Sequence, residues 1–129
     1  MNLASQIFAA LAVVFHILFF CMESLWFMRP QVFARFGAKS QTDAESQRLF
    51  AFNQGFYNLF LAMGCAAGIV MLQGTEWALV GRTLVLFTCA CMLGAAAVLT
   101  YSAPQKMLRA AAIQGLPPLL AIGLYLALG

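Results

Sequence analysis

The chain has 129 residues, 64% of them hydrophobic and only 9% charged, with seven Lys and Arg against four Asp and Glu. A soluble domain carries charge on roughly a quarter of its residues, so most of this surface must face something apolar, and lipid is the natural candidate. A net charge of +3, scattered along the chain, is too weak for a nucleic-acid footprint, and the length holds one bundle with no second domain.

A membrane-spanning helix needs about 20 mostly apolar residues. The first candidate runs from about Leu3 to Met28, interrupted only by His16 and Glu23, and proline at Arg29-Pro30 is expected to stop it. Met1 to Gln6 carries no basic residue and no small-residue cleavage pattern follows, so this helix is expected to be retained. Pro30 to Gly37 mixes aromatic and basic residues, as an interfacial segment does. Thr42 with Glu45 reads as a capping box, so the next helix should begin near Asp43 in water and then enter the membrane. Its span is expected from about Leu49 to Leu72, ending at Gln73-Gly74. A third span follows from about Trp77 to Tyr101, before Ser102-Ala103-Pro104, and a fourth from about Met107 to Leu128. The fold class is therefore all-α, an integral membrane four-helix transmembrane bundle.

Basic residues set the expected orientation. The first connection holds Arg29, Arg35, Lys39 and Arg48, and the third holds Lys106 and Arg109. By the positive-inside rule these two are cytoplasmic and both termini lie outside. Trp77 suits an anchor at the outer interface and Trp26 one at the inner, while Arg82 is expected to snorkel outward.

The four cysteines, Cys21, Cys65, Cys89 and Cys91, all sit in apolar runs. Cys89 and Cys91 are two apart and point to nearly opposite helix faces, so they read as small apolar fillers. No histidine pair, nucleotide loop or metal-ligand spacing occurs, so neither a cofactor nor a metal is expected.

Polar groups in hydrocarbon need a partner or a purpose. Glu23 lies about five residues inside the cytoplasmic end of the first helix, roughly 8 Å at helical rise. Gln54, with Asn53, Tyr57 and Asn58 beside it, lies at similar depth in the second helix, and Gln114 does so in the fourth. Three helices thus place polar groups at one level. His16 and Glu23, seven apart, share nearly the same face; Asn53 with Tyr57, and Gln54 with Asn58, stack at four-residue spacing. Pro117 and Pro118 remove backbone donors, which frees the carbonyls of Ile113 and Gln114 beside the cluster. Gly64 and Gly68 form a small-residue packing motif, expected to act within the bundle. The runs beginning Gln54-Gly55 and Gln114-Gly115 match each other and raise a repeat of two helical hairpins, with a pseudo-two-fold axis along the membrane normal.

His16-x6-Glu23-x2-Trp26, Asn53-Gln54-Gly55-x-Tyr57-Asn58 and Gln114-Gly115-x-Pro117 together resemble the signature of domain-of-unknown-function family 1304. The resemblance spans nearly the whole chain, and the Asn-Gln-Gly-x-Tyr-Asn block is its most specific part. It implies a small, mostly bacterial four-helix membrane protein, hence an inner-membrane location, and no established reaction.

Three functions compete. In the first, the bundle binds, and acts on or simply holds, a small amphipathic molecule such as a lipid, quinone or hydrophobic metabolite. Glu23 and His16 are then the candidate acid–base residues, and Asn53, Gln54, Tyr57, Asn58, Gln114 and Trp26 the candidate ligand contacts. In the second, the protein is a proton-coupled exporter working as a homodimer, by analogy with other short four-helix chains that carry one membrane-embedded acid. In the third, it is a structural subunit, and the polar residues bind helix to helix.

Overall fold

The computed structural model describes residues 1–103 and 105–129, all of whose regular structure is helical. Helix α1 (Leu3–Phe20) runs on into one wide turn at Cys21–Leu25. A short helix α2 (Pro30–Phe33) follows, closed by a tight turn at Ala34–Phe36, and then come α3 (Gln41–Met71), α4 (Ala78–Ser102) and α5 (Leu108–Leu128). Leu3–Leu25, α3, α4 and α5 are each long and apolar enough to cross a membrane. They form a closed ring in which α1 packs on α3 and α5, and α4 packs on the same two helices from the other side. The short connections from α3 to α4 and from α4 to α5 force those neighbours to run antiparallel, and the outer faces expose Ile7, Val14, Phe60, Phe87 and Leu126.

The two ends of the ring are built differently. At the end holding both termini, Asn2 Nδ2 donates to the Leu124 carbonyl at 2.9 Å and Gln73 Nε2 to Gln6 Oε1 at 3.0 Å. Ser5 Oγ donates to the Ala121 carbonyl between them. Below, Ala9, Ala12, Cys65, Val85, Cys89, Met92 and Ala121 close the core, with Cys65 and Cys89 as free thiols within it. Arg82 reaches over the Tyr125 ring at 6.0 Å. A second, smaller core of Phe27, Phe33, Ala38 and Ala44 closes the opposite, basic end. Between the two cores lies a cavity with walls from all four spanning helices.

Three boundaries differ from the sequence expectation. The first spanning helix ends at Leu25 rather than Met28, because its last turn widens: the Trp26 N–H donates to the Cys21 carbonyl, five residues back, at 2.9 Å. Pro30 begins a helix instead of ending one, at a position where the missing N–H costs nothing. The segment after it packs under the bundle and buries Val32 and Phe33. Helix α3 is capped by Ser40, two residues before Thr42. Ser40 Oγ accepts from the Asp43 N–H at 3.1 Å, and Asp43 Oδ2 accepts from the Lys39 N–H at 2.8 Å. Pro104, expected to stop α4, lies outside the described residues.

Gly64 and Gly68 do pack inside the bundle, against α4. A Cβ at Gly68 would lie 2.7 Å from the Gly81 carbonyl oxygen, and one at Gly81 would lie 2.6 Å from that of Gly68. Neither backbone can retreat without opening the ring, so Gly81→Ala is expected to cost about 1–3 kcal/mol, typical of overpacking. Thermal unfolding in detergent would register this as a lowered midpoint. An unchanged midpoint would mean that α3 and α4 cross less tightly.

Candidate functional site

Glu23 continues the buried stripe of α1 (Ser5, Ala9, Ala12, His16 and Phe19) into the wide turn. A single wide turn inside a helix recurs at functional sites. Here it is pinned from α3: Ser24 Oγ donates to the Phe52 carbonyl at 2.7 Å. Gly55 makes that approach feasible, since any Cβ there would collide with Ser24 Oγ and lie 3.0 Å from its backbone nitrogen. With the turn seated, Glu23 is buried, 8% exposed, and its Oε1 accepts from Asn58 Nδ2 at 2.8 Å. A carboxyl oxygen with a buried donor at this distance is fixed in place.

Glu23 and Asn58 line a cavity of about 390 Å³ near the basic end of the bundle, with walls from all four spanning helices. Gln54 of α3 and Gln114 of α5 face it, among Phe19, Phe36, Ala95, Val98 and Leu99. Glu23 is its one ionisable wall residue among those described. Side-chain hydrogen bonds occupy Asn58 and Glu23 Oε1, but neither Gln54 nor Gln114, and no described side chain donates to Glu23 Oε2. The cavity opens sideways at Gln54, Val98 and Ser102, all exposed. The opening therefore lies between α3 and α4.

Several sequence candidates lie elsewhere. Asn53 is exposed and donates Nδ2 to the Leu49 carbonyl one turn back at 2.9 Å, and Tyr57 is 64% exposed. That pair occupies the outer face of α3, while Gln54 and Asn58, one residue further round, line the cavity, Asn58 buried and Gln54 exposed at its edge. Trp26 is not in the cavity wall; the Arg29 guanidinium lies over its ring at 5.3 Å. His16 is fully buried but also lies outside the wall. Its Nδ1 meets the Ala12 carbonyl at 2.8 Å, which requires Nδ1 to donate, and its ring stands edge-on to Phe19 at 6.2 Å. Its Nε2 has no partner among the described residues. No group of three His, Cys, Asp or Glu side chains comes together among the described residues.

The sequence reading missed Ser24, which positions the turn, and Phe36, which borders this cavity and two neighbouring ones. It also missed Ala95 and Ala110, whose small side chains leave the void. The alanine-rich runs at 95–97 and 110–112 carried that signal. Both glycines of the two matching runs sit against the preceding span: Gly55 packs against Ser24, and a Cβ at Gly115 would lie 2.8 Å from Ala96.

Among known families, the profile described as "Protein of unknown function (DUF1304)" matches residues 10–126. No curated protein and no solved structure matches the chain.

Proposed function

Because the chain belongs to the DUF1304 family, whose description assigns no activity, we propose its function from the site: it binds a small amphipathic molecule in the Glu23 cavity. The observation that carries this reading is a cavity of about 390 Å³ in which Gln54, Gln114 and Glu23 Oε2 have no side-chain hydrogen bond among the described residues. Unsatisfied polar groups beside apolar walls are the pattern of a ligand site, and helix-to-helix glue would pair them. The side opening between α3 and α4 suits a molecule that arrives from the membrane. Such a ligand places a hydroxyl, carbonyl or amide between Glu23 and the two glutamines, and its apolar part along Val98 and Leu99. Glu23 is the group there able to exchange a proton with it.

The protein would sit in a bacterial inner membrane with both termini outside, because Arg35, Lys106 and Arg109 gather at the opposite end. Reporter fusions at the C-terminus are expected to show external activity, and cytoplasmic activity would reverse the orientation. For the ligand, the purified protein in a neutral maltoside detergent would be titrated with 1-decanol, a ten-carbon monoacylglycerol and decyl-benzoquinone. Saturable stabilisation by at least one of these is expected; stabilisation by none would overturn the reading.

A further inference from the structure

A second recess lies across Phe19, Phe36 and Ala110 from the Glu23 cavity, between α1 and α5 at the basic end. Its volume is about 310 Å³, and Arg35, Lys106 and Arg109 line it together with Met22 and Ile113. We propose that this recess is a binding site for the phosphate head group of an anionic lipid. The inference does not depend on what occupies the Glu23 cavity.

The ordinary reading of these cations is that they only set topology. That reading requires positive charge on one side of the membrane, and it is indifferent to where on that side the charges lie. Here three of them converge from two connections far apart in sequence. Their neighbours are engaged differently: Arg29 stacks on Trp26, and Lys39 and Arg48 lie outside the recess. Among the described residues no carboxylate lines the recess. Glu23 is on the far side of Phe19 and Phe36, and Asp43 is held by the Lys39 N–H and by Gln47 Nε2. Bringing like charges together without a counter-charge is unfavourable, and a phosphate relieves it through several charge-assisted hydrogen bonds at once.

The walls choose between a free phosphate and a lipid. The cations are exposed and stand at the mouth, where a head group lies, while Phe19, Met22 and Ile113 continue inward as apolar surface. Basic pockets between spanning helices on the positive side are suited to anionic head groups in this way.

Lipid adducts would be counted by native mass spectrometry on the whole chain in maltoside detergent. The probes are dioctanoyl phosphatidic acid, dioctanoyl phosphatidylcholine and inorganic phosphate. Phosphatidic acid is expected to bind roughly tenfold more tightly than phosphatidylcholine, the size of one charge-assisted contact set, and to lose that preference as salt rises. Arg35→Gln with Arg109→Gln should abolish the preference. Lys39→Gln with Arg48→Gln removes the same charge from the same end, outside the recess, and should keep it. Loss of preference in both pairs would show a general surface-charge effect and overturn the site. Equal binding of the two lipids would overturn it as well, and displacement of phosphatidic acid by an equal concentration of inorganic phosphate would overturn the lipid assignment. Retained 1-decanol binding in Arg35→Gln with Arg109→Gln would keep the Glu23 reading separate from any of these results.

Discussion

Ala95→Phe is expected to abolish stabilisation by 1-decanol, the monoacylglycerol and decyl-benzoquinone while leaving the protein at least as stable as before. Ala95 is half-buried on α4 and belongs to the wall of the Glu23 cavity but not to the basic recess. A phenyl ring there has room to enter the void, and it meets Val98 and Leu99 one turn away. Filling an apolar hollow typically adds about 0.5–2 kcal/mol. The same ring occupies the space between Gln54 and Gln114 that a ligand requires. Loss of binding with a gain in stability separates a ligand cavity from a structural one. Binding that survives the substitution would place the ligand elsewhere on the bundle.

The second large effect divides the two roles of Glu23. Glu23→Ala removes the acceptor for Asn58 Nδ2, which is buried and has no other acceptor among the described residues, and an orphaned buried donor costs about 1–3 kcal/mol. Glu23→Gln keeps an oxygen for Asn58 and nearly the same volume, so stability is expected to change by less than about 1 kcal/mol. It cannot exchange a proton, and it puts a donor in place of the Oε2 acceptor. Ligand stabilisation is therefore expected to fall at least roughly tenfold in Glu23→Gln, the equivalent of one hydrogen bond to a charged or strongly polar group. Thermal midpoints with and without each probe measure both quantities together. A large drop in midpoint for Glu23→Gln, with no probe stabilising the parent protein, would make Glu23 a purely structural acid.

The spans were legible because apolar runs of this length have few other uses, and the meeting of Glu23 with Asn58 was legible from matched depth. What the sequence could not settle was facing. Four-residue spacing paired Asn53 with Tyr57 and Gln54 with Asn58 correctly, but α3 is apolar on its lipid side as well as its inner side. Periodicity therefore groups residues by face without saying which group turns inward. His16 and Glu23, seven apart, are both buried on the one stripe, but the spacing gave no sign of the wide turn at Cys21–Leu25 that carries Glu23. That turn rests on a contact between Ser24 and the backbone of a residue 28 positions away, which local sequence does not encode. The cap at Ser40 was displaced for a simpler reason: Ser40 and Asp43 repeat the same spacing as Thr42 and Glu45, and only the fold of the preceding segment selects between them.

If the space between Glu23, Gln54, Asn58 and Gln114 is held open for a molecule other than the protein, a density map of the protein kept in its native lipid shows it most directly. Non-protein density is expected within hydrogen-bonding distance of Glu23 and at least one of the two glutamines, entering between α3 and α4. A cavity closed by Phe19, Phe36 and Leu99, with Gln54 and Gln114 bonded to protein groups, would contradict it.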